Sequence, residues 1–405
     1  MPPLFLSRYT LVTALGRGLA ANRAALEERR SGLRACDIDG ADLNTYIGRI
    51  EGLEDRPVKG KALDRALAKL CDCRNNRLAQ LGLEQDGFAE AVTEASRRYG
   101  AARVAVILGT STSGIAETEN AYQRRKGGTG PLPADFLPRY PYTHNTYSLA
   151  HFVRAYLGLA GPAVVISTAC SSSAKVFASA ARFIAAGLCD AAVVGGVDSL
   201  CLTTLYGFTA LQLTSTRPCR PYDAAREGLS LGEAAGFALL ETEANADASS
   251  SNIGLLGYGE SSDGYHMSHP HPEGLGAISA MRDALARAQL APEQIDYINL
   301  HGTATPANDR VEDRAVSSVF GKDVACSSTK GWTGHTLGAA GITESIIAAL
   351  CLEHGFIPGT LNTETVDPTI TSHIVLENRA QPIKRALNTI FGFGGNNCCL
   401  VLGRL

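Results

Sequence analysis

The chain has 405 residues, 45% of them hydrophobic, enough for a large core and for about two to three domain-sized units. That composition excludes a disordered chain, and a formal net charge of -3 excludes a broad nucleic-acid or polyanion surface, so any charged partner must meet a local patch. The 11 cysteines follow no regular framework in a chain too long to need disulfide staples, which points to a reducing, cytoplasmic setting.

In chain order, the opening MPPLFLSRYTLVTALG has a short apolar stretch interrupted by SRYT and reads as neither a secretory leader nor a membrane span. Apolar runs predict strands at 103–111, 163–169, 191–200, 236–241, 253–260, 296–302 and 387–395. Between them lie helical patterns, among them LGAISAMRDALARAQL at 275–290, with apolar residues at three-and-four spacing and an Ala-Pro boundary after it. Such alternation favours a layered α/β fold with parallel sheet. The polar, short-sided ETEANADASSSN at 241–252 marks the expected joint between two halves, 1–250 and 251–405. Both halves contain strands that end in small-residue turns, STACSS in the first and LHGTAT and GFGGNN in the second.

The stretch STACSSSA at 167–174 places one cysteine between a predicted strand and a predicted helix, among the smallest side chains available. A thiol at a helix N-terminus is expected to gain thiolate character from the helix dipole, and small neighbours let a carbonyl approach. Taken alone, most free cysteines are simply buried; this context favours a nucleophile at Cys170. His301 follows the strand-like DYINL, and His335 lies in STKGWTGHTLGAAG before a predicted helix. Helix N-termini bias histidine towards neutral imidazole, and two neutral donors aimed at one carbonyl would stabilise an enolate.

Four motifs in order, STACSSSA, HGTATPAND, STKGWTGHTLGAAG and FGFGGNN, resemble those of the β-ketoacyl-acyl-carrier-protein synthases. The Cys-His-His set is most similar to the type I and II elongating condensing enzymes. The resemblance implies a thiolase-like α/β fold, two similar halves in a five-layered α-β-α-β-α arrangement. It implies decarboxylative condensation of a Cys-bound acyl chain with a malonyl thioester. Cys170 matches the nucleophile, His301 and His335 the pair that binds the malonyl carbonyl, and Lys330 and Glu344 the lysine and acid that support them. Phe393 matches the gate beside the sulfur, whose backbone N–H completes an oxyanion hole with that of Cys170. Thr303 and Thr305 match the threonines that hold pantetheine, and Asp309 and Glu312 match acids behind the histidines. Thr112, in the Gly-rich GTSTSG, belongs to a turn expected at the acyl pocket, and Ser268, in HMSHPH, to a loop expected at the pantetheine channel.

The implied partners are an acyl carrier protein bearing phosphopantetheine thioesters and a second subunit, either another copy or a paralogous synthase or chain-length factor. No metal, redox cofactor or nucleic acid is implied. His266, His269 and His271 lack a carboxylate or thiol set beside them, and no GK[ST] follows GTSTSG. An acidic carrier would be steered by basic runs, of which Arg65 and Lys69 form one and Arg124, Arg125 and Lys126 another; solvated surface is the plain alternative for both. Departures such as GEAAG for GEGAG and GGNN for GGTN leave the subfamily open. The pairing of GWTGHTLGAAG with FGFGGNNC is similar to synthases of aryl-polyene or xanthomonadin-type pigment pathways. A non-catalytic chain-length-factor-like subunit usually lacks the cysteine this chain keeps. A degradative thiolase carries a second cysteine where this chain has the His335 motif, and a purely carrier-binding module needs no acylation site.

Overall fold

Residues Val104–Gly109 read VAVILG, with no polar side chain, and all are buried between parallel neighbours on both sides. A parallel strand this apolar requires a sheet covered on both faces. The structure, a computed structural model, describes residues 1–60, 62–125, 128–243 and 251–405.

Most strands join one twelve-stranded sheet whose order repeats about its middle. Outwards from the centre, the first half runs Leu4–Thr13, Ala234–Glu241, Ala191–Asp198, Val104–Gly109 and Ala163–Ile166. The second runs Ile253–Ser262, Asn396–Arg404, Arg385–Gly392, Tyr297–Asn299 and Ala325–Ser327, with His373–Ile374 added at its edge, and the twelfth strand, Gly16–Arg17, pairs back onto Leu4–Thr13. In each half the two inner pairings are antiparallel and the two outer ones parallel. The halves meet where Leu4 pairs with Leu255 and Phe5 with Gly254.

Helices fill the remaining layers. Ser172–Ala185 and Ala340–His354 pack against each other and against strands of both halves, forming the central layer. Arg74–Leu83, Phe88–Tyr99 and Ser148–Tyr156 cover the first half-sheet, and Leu275–Ala288 with Pro306–Phe320 covers the second. This is the five-layered arrangement of two similar halves that the resemblance implied. The stretch Leu337–His354 is long and apolar enough to cross a membrane, but it is 89% buried inside the molecule and serves as its core helix.

The predicted strands all form, with ends shifted by a few residues, and the sheet gains Leu4–Thr13 before them and Asn396–Arg404 after them. Residues 244–250 of the expected joint lie outside the described residues.

The central helix starts hard against the sheet. A Cβ on Gly109 would lie 2.4 Å from the Ser173 backbone nitrogen, and one on Gly196 2.5 Å from the Ser173 Cβ. We expect Gly109→Val to cost about 1–3 kcal/mol in urea unfolding. Because the displaced turn follows Cys170 directly, alkylation of Cys170 by iodoacetamide should change with it.

Candidate active site

After strand Ala163–Ile166 the chain turns through Ala169 in the left-handed region (φ 53) before Cys170, and the central helix begins at Ser172. The serines of this motif hold the turn. Ser172 Oγ donates to the Ala169 carbonyl (2.5 Å) and accepts from Thr168 N (2.9 Å), while Ser171 Oγ donates to the Thr168 carbonyl (2.9 Å). The thiol is therefore the one nucleophile of the motif left facing the cavity. Its resting state differs from the sequence expectation. Burial pushes the Cys170 thiol up to about 11, while the charge of Lys330 and the backbone N–H groups of Phe393 and Cys170 pull it down. Desolvation outweighs any helix dipole here, so the group rests as a thiol.

His335 lies between the helical turn Lys330–Thr333 and the 3-10 turn Leu337–Ala339. Its peptide is clamped, N–H to the Ser230 carbonyl (2.7 Å) and carbonyl to Gly232 N (2.9 Å), and its Nε2 lies 2.9 Å from Cys170 Sγ. His335 Nδ1 has no hydrogen-bond partner among the described residues, so nothing there fixes its tautomer.

His301 stands nearly perpendicular to His335 (87°), with ring centroids 5.3 Å apart. Its backbone N–H donates to Glu312 (2.8 Å) and to Thr389 Oγ1 (3.1 Å). Lys330 Nζ lies 3.3 Å from His301 Nδ1 and also donates to the His301 carbonyl and the Glu344 carboxylate. An ammonium can only donate, so Nδ1 accepts and Nε2 carries the hydrogen. Both imidazoles are held well below their usual value, first by burial and then by Lys330. They are neutral, as expected, but for a different reason. His301 sits well before the helix Pro306–Phe320, out of reach of its dipole.

The ligand atoms of Cys170, His301 and His335 lie within 4.8 Å of one another, compact enough for a metal ion. The donor set fits poorly, because the hydrogen that Lys330 places on His301 Nε2 occupies the lone pair a metal would need. The exposed His266 and His269 meet through their Nδ1 atoms (3.2 Å), and His266 Nδ1 already accepts from Ser268 N (3.1 Å).

Glu312 and Asp309 behave differently from each other. Glu312 gathers donors from His301 N, Gly302 N, Thr389 Oγ1, Tyr222 Oη and Asn308 Nδ2, and so fixes the His301 backbone. Asp309 lies one step further out than expected, accepting from Tyr222 N (2.9 Å) and pairing with buried Arg226 (3.4 Å), which also binds Asp367 (2.8 Å). Burial raises the Asp309 carboxyl to about 6. The supporting roles of Tyr222 and Arg226 were missed, although their stretch, RPYDAAREG, reads as unusually polar for a segment leading into a buried strand.

A cavity of about 120 Å³ opens onto Cys170, His301 and His335. Thr303, Thr305, Ser268 and Phe393 line it, and Phe393 packs against Phe208 with centroids 5.5 Å apart. Thr303 and Thr305 share a hydrogen bond of 2.8 Å. Thr112 is absent from the lining, since its hydroxyl binds Asp198 (2.8 Å). Lys330 and Glu344 also lie behind the lining, Lys330 against His301 and Glu344 against Lys330.

The basic runs divide. Arg65 and Lys69 are exposed on helix Arg65–Cys71, whereas Arg124 pairs with Asp135 (3.6 Å). Arg125 is spent on its own loop, donating to the carbonyls of Gly130 (2.6 Å) and Thr129 (3.0 Å). Lys126 lies outside the described residues.

A thiol, two neutral imidazoles and a buried lysine at the ends of a doubled sheet define a condensing enzyme of thiolase-like fold. Residues 72–246 match the family "Beta-ketoacyl synthase, N-terminal domain" and 254–364 its C-terminal domain. The 3-oxoacyl-[acyl-carrier-protein] synthase 2 of Vibrio cholerae is 31% identical over 98% of this chain and 97% of its own length. A ketosynthase from Xenorhabdus doucetiae, solved in complex with its chain length factor, superposes with a TM-score of 0.88 at 34% identity, covering 100% of this chain and 98% of its own. A β-ketoacyl synthase from Burkholderia phymatum superposes at 0.86 with 29% identity over 100% of both chains. The chain belongs to the β-ketoacyl synthase family, acyltransferases that form β-ketoacyl products by Claisen condensation.

Burial pushes the Glu344 carboxyl up to about 7 against the pull of Lys330. A raised acid is protonated below that value and ionised above it, so the Lys330–Glu344 pair forms as pH rises through about 7. Malonyl decarboxylation should rise across this window, the outcome expected of a His301 held by Lys330. Glu344→Gln should flatten that limb of the pH profile; an unchanged limb would remove Glu344 from the His301 support.

Proposed function

We propose that this chain is the acylating and condensing subunit of a ketosynthase pair that extends carrier-bound acyl chains with malonyl units. The contact between Cys170 Sγ and His335 Nε2, beside a His301 with its tautomer fixed, carries this reading. Cys170 Sγ attacks the thioester carbonyl of an acyl-carrier protein, and its proton passes to His335 Nε2. The carbon–sulfur bond to pantetheine breaks, and the leaving thiolate takes that proton. The backbone N–H groups of Cys170 and Phe393 would hold the oxyanion. In the second half, malonyl-carrier loses carbon dioxide and the electron pair forms an enolate whose oxygen accepts from His301 Nε2–H. His335 faces the same position and, with its tautomer unfixed, can donate there. The enolate carbon attacks the acyl carbonyl, the bond to Sγ breaks, and the departing thiolate takes up one proton from solvent to restore the thiol.

The division at 250 assigns the nucleophile to the first half and the histidine pair to the second. The carrier would meet the exposed Arg65, Lys69 and Arg124, with Arg125 reserved for its loop. A chain-length-factor role is disfavoured by Cys170 itself.

For the second subunit, we favour a paralogous chain length factor, as in the Xenorhabdus doucetiae complex, in a cytoplasmic polyene-type pathway. Strand Ala163–Ile166 lies at the sheet edge with all four residues half-buried, and bare apolar edges are normally covered. Nearby sequence between 115 and 147 adds exposed Tyr122, Leu137, Tyr140 and Tyr147, the type of surface that marks a protein interface.

Cys170→Ala should show no mass increase after incubation with acyl-carrier thioesters, while the unaltered chain gains one acyl group. A full adduct on the alanine variant would refute the assignment. Leu137→Asp with Tyr147→Asp should weaken a co-purified complex with the paralogous subunit by about tenfold or more. Light scattering would report it, and an unchanged complex would place the interface elsewhere.

A further inference from the structure

Asp198 ends the apolar strand Ala191–Asp198 and is fully buried, yet the reaction as described does not use it. Its carboxylate accepts from Thr110 Oγ1 (2.6 Å), Ser111 N (2.9 Å), Thr112 N (2.9 Å), Thr112 Oγ1 (2.8 Å) and Gly338 N (2.6 Å). These donors come from two segments that flank the reacting atoms. On one side, Ser111 Oγ donates to the carbonyl of Ala169 (3.1 Å), the left-handed residue directly before Cys170. On the other, Gly338 follows Leu337, which is also left-handed (φ 54) and lies just beyond His335.

A left-handed conformation costs a non-glycine residue roughly 1–3 kcal/mol and persists only where its surroundings enforce it. Both strained residues lie one link from the same carboxylate. A Cβ on Gly338 would meet Asp198 Oδ2 at 2.6 Å, so this close approach depends on glycine. A buried carboxylate needs its acceptor capacity filled, and here backbone and hydroxyl donors fill it from both sides of the site.

We propose that Asp198 is a positioning residue that sets the Cys170–His335 contact by pinning the backbone before the sulfur and after the imidazole. It touches neither reacting group. It acts on Cys170 through Ser111 and Ala169, and on His335 through Gly338 and Leu337. His301 is held independently, by Lys330 and Glu312, so Asp198 governs one histidine and not the other.

The inference rests on acylation at Cys170, and the test separates the two. Single-turnover acylation by a short acyl-pantetheine thioester is followed by intact mass for the unaltered chain, Asp198→Asn, Ser111→Ala and the double variant. Asn keeps the volume but turns an amide NH₂ towards the converging donors. Asp198→Asn should lower the maximal acylation rate by about tenfold or more while leaving the half-saturating concentration unchanged. Ser111→Ala should lower it less, and the double variant should lose no more than Asp198→Asn alone. In isotope-labelled protein the His335 ring resonances should shift with Asp198→Asn, and those of His301 should stay. If the unaltered chain is not acylated, the reading of Cys170 fails. If it is acylated and Asp198→Asn keeps the same rate, or the two losses add in full, the positioning role is overturned. Should Asp198→Asn not fold, Ser111→Ala alone must still slow acylation at constant half-saturation; an unaltered rate then overturns the proposal.

Discussion

A lysine ammonium in the centre of a protein must give all three of its hydrogens to acceptors, because an unmet buried charge costs several kcal/mol. Lys330, 1% exposed, does so with His301 Nδ1, the His301 carbonyl and Glu344. That one requirement fixes the tautomer of His301, depresses both imidazoles and moderates the desolvated thiol. It also explains the local chain path. Lys330 begins a single helical turn directly after strand Ala325–Ser327, and Ser328 joins the two loops by donating to the Gly302 carbonyl (2.8 Å). Replacing the lysine with an uncharged side chain would leave a buried carboxylate facing a histidine of undefined tautomer.

The groups that the fold brings together could be read from sequence, because each stands at a strand end or small-residue turn: Cys170, His301, Lys330 and His335. Their electrostatic causes could not. The helix dipole expected to activate Cys170 and His301 is a local property, while the burial that dominates them arises from layers distant in the chain. The partners that Thr112 and Arg125 take, Asp198 and the Gly130 carbonyl, were invisible for a similar reason, since they appear only after folding. The first strand escaped the pattern for a visible reason. Its pairing with Ala234–Glu241 shifts register between Leu6 and Arg8, so a bulge at Ser7 breaks the alternation. Thr10 is buried there as well, satisfied by Asp86 at 2.8 Å.

The interior is unusually polar behind the site, and its acids are not interchangeable. Glu312 accepts from neutral donors and holds a backbone, whereas Asp309 shares the guanidinium of Arg226 with Asp367. Removing Arg226 would leave Asp309 without its cation in a dry site, a loss of the kind that costs about 3–5 kcal/mol. Removing Glu312 would instead release the His301 and Gly302 peptides together. Stability and alignment therefore rest on neighbouring carboxylates with separate partners.

The repeated strand order accounts for where the chemistry gathers. With the added strands Gly16–Arg17 and His373–Ile374 set aside, the second, third and fourth strands of each half in chain order run parallel, so their carboxyl ends lie on one side, where open α/β sheets place their sites. The second strands lead to Thr110 and His301, the third to Cys170 and Lys330, and the fourth to Asp198 and Phe393. Equivalent positions thus carry unlike groups: a nucleophile opposite a cation, and a buried carboxylate opposite an aromatic wall. The central helices begin close by, and their close packing requires glycine at Gly341, where a Cβ would meet Ala174 N at 2.4 Å. Two copies of one topology, packed that closely through their central helices, bring the sulfur of the first half within 2.9 Å of an imidazole from the second. Neither half contains the site, which forms only where the two meet.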